Sequence, residues 1–144
     1  MNLVLDYSLT QQSIIKPYTF KDLAMDMISD DFNRDIKTSI DIDAIQNGIN
    51  NMFVFLQGER ILLPDFGNSI YKYLYEPVSD FIAERIGEEV KRMFDKWEPR
   101  VTIKAINITP DAENNTYYLQ VLYIIPALDK EKLINYSKAL NQRR

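Results

Sequence analysis

Trp97-Glu98-Pro99-Arg100 divides the chain between two kinds of periodicity. Before it, Ile82, Ile86, Val90, Met93 and Trp97 recur at three- and four-residue steps, which predicts a long amphipathic helix over 78–96. After it, Val101-Thr102-Ile103-Lys104 alternates with period two, as a half-buried strand does. Pro99 has no N–H to donate and disfavours helix at Glu98, so the change of period coincides with an enforced break. Glu98 and Arg100 are thereby fixed at a corner between two packed elements. Their charges admit two readings: a local ion pair that orients the strand entry, or a rigid recognition corner for a partner. Residue types alone do not choose between them.

Outward from the corner, strands are expected over 101–109 and 116–125. Pro110-Asp111-Ala112-Glu113-Asn114-Asn115 is rich in turn formers and should join them as an antiparallel hairpin. In the second strand Tyr117, Leu119, Val121, Tyr123 and Ile125 share one face, while Leu122 and Ile124 make the far end apolar on the other. Such a strand needs cover from the chain or from a partner, and the hairpin is read as having an exposed edge that includes Tyr118, Gln120 and Leu122.

A second helix is expected from Asp41 to Leu56, with Ile42, Ile45, Ile49, Met52, Phe53 and Leu56 as its stripe. Ser39 or Asp41 is the candidate cap at its start and Gly58 the left-handed residue past its end. Pro64-Asp65-Phe66-Gly67 turns the chain, and Asn68 is placed as cap of a brief helix, 69–75, that breaks at Glu76-Pro77. Gly87 inside the long helix admits two readings, close approach of another element or simple tolerance of the glycine. Tyr18-Thr19-Phe20 and Ile36-Lys37-Thr38-Ser39-Ile40 read as short strands, Asp22 to Ile28 as a short helix or extended arm, and 30–35 as a turn.

These elements predict an α+β fold: one compact domain, two main helices packed on a small, mostly antiparallel sheet with a C-terminal β-hairpin. Residues 1–35 form an N-terminal arm or peripheral segment, 36–127 the core domain, and 128–144 a charged tail that could form a terminal helix. At 144 residues the chain has the length of a single domain.

Composition narrows the chemistry. The chain has no histidine and no cysteine, which removes the commonest general base, the commonest metal ligand, thiolate nucleophiles and disulfides. A net charge of −4, with Arg143-Arg144 as the one basic cluster, argues against nucleic-acid binding. No apolar run approaches the roughly 20 residues that span a bilayer, so no membrane role is expected. The start, Met1-Asn2-Leu3-Val4-Leu5-Asp6, lacks a signal-peptide pattern, which makes the cytoplasm the expected place of synthesis. Glu59, Asp65, Glu76 and Glu98 flank turns, and a carboxylate pair is the one route to hydrolysis left open. Ser13 and Ser79 have no histidine to activate them, and the four glycines are too scattered for a phosphate loop. The acidic stretch at 30–35 lacks the spacing and glycine of a calcium loop. No catalytic residue, metal or cofactor is expected.

Three stretches, in order, carry a resemblance. They are Ala44-Ile45-Gln46-Asn47-Gly48-Ile49-Asn50-Asn51, then Gly58-Glu59-Arg60-Ile61-Leu62-Leu63-Pro64-Asp65-Phe66-Gly67 followed by Tyr75-Glu76-Pro77, then Trp97-Glu98-Pro99-Arg100-Val101. Over residues 35–126 the chain resembles the baseplate-wedge sheath-initiator family of contractile phage tails, which includes the type VI secretion baseplate counterpart. Asp65 fits the family's acidic residue before Phe-Gly, and Tyr75 stands where phenylalanine is more typical. The resemblance implies a noncatalytic structural protein of the virion baseplate, assembled in the host cytoplasm. It would dock on the helical bundle of the wedge and start the sheath by accepting strands at its hairpin. Its implied partners are other wedge proteins, the sheath protein, and tube or hub proteins. The partner-binding residues it implies, joined to the hairpin reading, are Trp97, Glu98, Pro99 and Arg100 with Tyr118, Gln120 and Leu122. The competing reading is a carboxylate-based peptidoglycan hydrolase, since a T-even phage relative has been described as a tail lysozyme.

Overall fold

The computed structural model describes residues 18–24, 27–30 and 35–141. Expectations for Ser13, for Arg143-Arg144 and for most of the arm lie outside the described residues. The chain order is β1 (Lys21–Leu23), β2 (Ser29–Asp30), β3 (Asp35–Ile36), β4 (Thr38–Ile40), α1 (Asp41–Val54), a short 3-10 helix (Ile70–Tyr75), α2 (Asp80–Trp97), β5 (Thr102–Asp111), β6 (Thr116–Ile125) and β7 (Asp129–Asn141). The fold is α+β. Helices cover one face of an antiparallel sheet ordered β5-β6-β7.

The tail is therefore a strand and not the expected helix. From Ile134 to Asn141 it pairs without interruption with Tyr123 back to Thr116. The charges of Asp129-Lys130-Glu131-Lys132 suggested a solvated helix, but Ile134, Tyr136 and Leu140 alternate with period two and complete the core face. Leu133 lies outside this uniform register, because Ile125 pairs with Asp129 while Tyr123 pairs with Ile134. With β7 in place, β6 is the central strand. The expectation that Tyr118, Gln120 and Leu122 lie on a sheet edge is thus corrected: all three face β5 on one side and β7 on the other.

The buried faces follow the sequence pattern. Tyr117, Leu119, Val121, Tyr123 and Ile125 of β6 meet Ile45, Ile49, Met52 and Phe53 of α1 and Ile86, Val90, Met93 and Phe94 of α2. Phe53 stacks on Tyr136 at 5.5 Å and meets Phe94 edge-on at 6.3 Å, which ties α1 to both the sheet and α2. In β5 the core phase shifts from Ile103 to Ile106 and Ile108. A bulge between Ile103 and Ala105 absorbs the extra residue and keeps all three isoleucines toward the helices.

Helix ends depart from expectation in detail. Ile40 precedes α1 without a side-chain cap. Asp41 accepts at Oδ1 from Thr19 N (2.7 Å) and Phe20 N (3.0 Å), and Ser39 Oγ accepts from Asn47 Nδ2 at 2.8 Å. The two candidate caps thus serve the β1–β4 ribbon and the helix flank. α1 stops at Val54, before Gly58, and buried Asn68 closes it from outside. The Asn68 Nδ2 group donates toward the last-turn carbonyls of Met52 (3.2 Å) and Phe53 (3.0 Å) and toward that of the C-cap Phe55 (2.9 Å), which also accepts from Asn68 N at 3.0 Å. Gly67 beside it has φ 107°, and a Cβ there would lie 2.5 Å from Phe55 O, so this position requires glycine. Gly87 is different: a Cβ would meet only Ile108 Cδ1 at 3.6 Å, an ordinary contact. Ser79 caps α2, accepting from Ile82 N at 3.3 Å.

Buried Glu89 projects from α2 toward the 3-10 helix. Ser69 Oγ donates to it, and Arg92 Nη2 donates to both oxygens at 2.7 and 2.5 Å. Burial alone raises a carboxyl's pKa. Here the hydrogen bonds from Arg92 and Ser69, with the charges of Arg92 and Lys72, outweigh it and hold Glu89 below the usual range. The pairs β1–β4 and β2–β3 form an extended ribbon, not a helix, that Tyr18-Thr19-Phe20 enter without being a strand; the pairs are joined by Ala24 N to Lys37 O and Lys37 N to Ile28 O, both 2.9 Å.

Candidate functional site

The end of α2 builds the corner. Glu98 N still donates to Phe94 O at 2.9 Å, after which Pro99 ends the ladder and Val101 N turns back to Glu98 O at 3.2 Å. This geometry sends Glu98 inward and leaves Arg100 at the rim. Glu98 is 3% exposed, while about a third of the Arg100 side chain reaches solvent (34%). Arg100 Nε donates to Glu98 Oε1 at 2.5 Å and Nη2 to Oε2 at 2.6 Å, a fork gripping both carboxylate oxygens. That bond, against the opposing effect of burial, raises the already high pKa of the guanidinium. Of its five N–H donors two are used in the fork, so donors remain on a partly exposed cation.

Two further elements close on this pair. A Cβ at Gly48 would lie 2.8 Å from Glu98 Oε2 and 3.3 Å from Arg100 Nη2, so a bare α1 backbone is what admits the ion pair. Phe20, at the base of the ribbon, lies under the guanidinium at 5.4 Å. Arg100 thus touches the end of α2, the middle of α1 and the ribbon. Beneath it, burial raises the pKa of Tyr123, which also feels Gln46 and the charge of Glu98, and its hydroxyl is buried without a well-formed hydrogen bond. Burial likewise pushes Tyr136 up to about 12, and its hydroxyl donates to Asn50 Oδ1 at 3.0 Å.

The residues singled out from sequence fall into two groups. Trp97, Glu98, Pro99 and Arg100 form the corner. Tyr118, half-exposed, and Gln120 and Leu122, half-buried, lie along central β6, and Tyr118 and Gln120 alternate against the buried Leu119 and Val121. Sequence reasoning missed Gly48 and Phe20 as parts of the corner. Gly48 stands within a quoted family stretch, and a glycine inside a strong helical stripe is itself a signal of close approach.

Three of the four turn carboxylates have structural engagements, and Glu76 contributes its backbone. Glu98 is held by Arg100, Glu59 Oε2 accepts from Leu56 N at 2.7 Å, and Asp65 lies 3.9 Å from Lys96 Nζ. Glu76 ends the 3-10 helix, its N–H donating to Tyr73 O at 3.2 Å. Among the described residues no group of three or more Asp, Glu, His or Cys gathers to hold a metal ion, and no helix is long and apolar enough to cross a membrane.

The family model for baseplate wedge protein gp25 matches residues 34–128. The chain is 24% identical over 113 residues to the baseplate wedge protein gp25 of Enterobacteria phage T4, covering 78% of this chain and 83% of that protein. Among solved structures it is similar to a candidate tail lysozyme from Geobacter sulfurreducens (TM-score 0.61, 22% identity, 69% of this chain and 89% of that one). It is also similar to a chain of the anti-feeding prophage baseplate (TM-score 0.59, 15% identity, 87% of each). A chain of the postcontracted pyocin R2 baseplate has the same fold (TM-score 0.52, 14% identity, 86% of this chain and all of that one).

Proposed function

The chain belongs to the baseplate wedge protein gp25 family, and from that premise we propose that it docks on the wedge through its Glu98-Pro99-Arg100 corner and starts the sheath by strand addition at β5. As a baseplate wedge protein of a contractile tail, made in the host cytoplasm, it has other baseplate proteins as partners. The sheath protein is the proposed strand donor, with tube or hub proteins as further neighbours.

The observation that carries the reading is the open outer edge of β5. No strand pairs with it among the described residues, while β6 on its other side is already closed by β7. Ladder bonds use backbone groups and tolerate varied side chains, so a strand joined there could stay joined while the sheath body moves. Pro110 lies at the far end of β5, which leaves 102–109 able to donate. Trp97 and the rim-exposed Arg100 supply the docking face, and Tyr118, Gln120 and Leu122 add a second surface on the sheet. The protein is read as noncatalytic, because Glu98 and Glu59 are committed to Arg100 and to a backbone amide.

The test is proline at Asn107 and, separately, at Ile108. One of two adjacent N–H groups faces β6 and the other faces outward. Ile108 faces the core, so each proline is compared with alanine at the same position, and the proline that melts like its alanine counterpart is the outward one. It is expected to enter baseplates that then fail to nucleate sheath in electron micrographs. Normal sheath on such baseplates rules β5 out.

A further inference from the structure

The β1–β4 ribbon has one edge whose backbone is left open. Asp41 N donates to Phe20 O and Ala24 N to Lys37 O, both at 2.9 Å. Antiparallel ladder bonds recur at every second pair, so Asp22 with Ser39 is the bonded pair between them. Thr38 and Ile40 therefore turn their N–H groups away from β1, and no backbone acceptor among the described residues takes either. Two other outward donors are engaged by side chains: Leu23 N donates to Asp22 Oδ1 at 2.8 Å and Ile36 N to Asp35 Oδ1 at 2.7 Å. Pleating puts Leu23, Thr38 and Ile40 on one face of the ribbon and Asp22 and Ser39 on the other. Ser39 looks toward α1, since its Oγ accepts from Asn47 Nδ2, so the Leu23 face looks outward. On it Leu23 is 48% and Ile40 45% exposed, and Ile36, in phase with them, is 38% exposed. Two strands with a bare apolar face are marginal alone, and a third strand is the ordinary remedy.

We propose that β4 accepts an extended segment of another baseplate protein, apolar at alternate positions, as the third strand of this ribbon. The groove between β4 and α1 chooses an extended backbone. Gln46, Asn47 and Asn50 of α1 line it opposite Thr38 and Ile40. Asn47 has its Oδ1 left after donating to Ser39, and Asn50 its Nδ2 after accepting from Tyr136 at 3.0 Å. A carboxamide carries a donor and an acceptor side by side, as a peptide group does. Lys37 and Asp43 bring opposite charges to the same groove, so hydrogen bonding and not net charge selects the occupant. The added backbone pairs with Thr38 and Ile40, and its alternate side chains extend the face of Leu23, Ile36 and Ile40. A helix laid on that face would cover the apolar side chains and leave the edge donors unpaired. The inference uses the family's place in the baseplate and requires neither docking at Arg100 nor strand addition at β5.

The experiment reads amide hydrogen exchange at single residues of the full chain, free and then within purified baseplates of its own tail that lack sheath. Thr38 and Ile40 are expected to exchange at least about tenfold more slowly in the baseplate, while Lys21, on the opposite edge of the ribbon, keeps its rate. Unchanged exchange at Thr38 and Ile40 overturns the proposal. Equal slowing at Lys21 means that the face is covered without strand pairing, and overturns it too. Slow exchange in the free chain that dilution releases makes the third strand a second copy of this chain. Slow exchange that dilution leaves in place closes the edge within the chain, and either result overturns the proposal. A second readout compares Thr38→Pro, which removes the outward N–H, with Thr38→Val, which keeps it. The proline variant is expected to enter baseplates at least about tenfold less than the valine variant, with both melting like the parent. Equal loss in both assigns recognition to the hydroxyl and sinks the main-chain pairing. If the proline variant melts lower, the exchange of the parent chain alone decides.

Discussion

At the scale of single residues, the corner is organised by who is buried. Glu98 is enclosed and Arg100 is its counter-charge, so Arg100→Ala strands a carboxylate and does more than trim a surface contact. Breaking a buried pair costs about 3–5 kcal/mol, and solvent at Arg100 puts the expectation near the lower end. A simple alanine test of docking therefore confounds binding with folding. Glu98→Gln combined with Arg100→Met removes both charges and is expected to recover most of the lost stability in a melting curve. If Arg100 also holds a wedge partner, that double variant folds yet associates more weakly by about 2–5 kcal/mol in a pull-down titration. Normal association would make the motif a structural corner only. The charge pair was legible in the sequence as a junction. Its burial was not, because that depends on Gly48, fifty positions upstream of Glu98.

At the scale of elements, periodicity located α2 and β6 within a residue or two, since each has one continuous apolar face. The errors fell where a distant group does a local job. Asn68 was read as opening the 3-10 helix, yet it closes α1 from across a loop. Glu89 sits on a helix face as a charged residue and gives no sign of burial until Ser69 and Arg92 are seen beside it. Its pKa is depressed in the fold, so its contribution is present above the unfolded value near 4.5 and disappears as pH falls through the lower folded one. Glu89→Gln should cost about 1.5–3 kcal/mol at neutral pH, from lost charged hydrogen bonds. It should also flatten the acid side of a stability-versus-pH curve measured by denaturant titration. An acid limb as steep as the parent's would assign that limb to other carboxylates.

At the scale of the whole molecule, the fold class was legible while the third strand was not. The run Asp129-Lys130-Glu131-Lys132 masked the alternation of Ile134, Tyr136 and Leu140 that follows it. Removing residues 129–144 should leave β6 with an unpaired side and Phe53 without its stacked ring. The shortened chain is expected to melt lower and to self-associate through the bared strand, which sedimentation velocity would register. A stable monomer would show that β7 is dispensable. The tail strand also sets an order in time. Translation delivers α1 before β7, so α1 emerges with its ring stack unmade and β6 with one side bare until β7 is synthesised. The β5–β6–β7 meander joins neighbours in the chain and can close quickly once all three are out. A polypeptide released before β7 has neither the stack nor the closed strand, so the residues that shield β6 also separate chains able to fold from fragments before assembly begins.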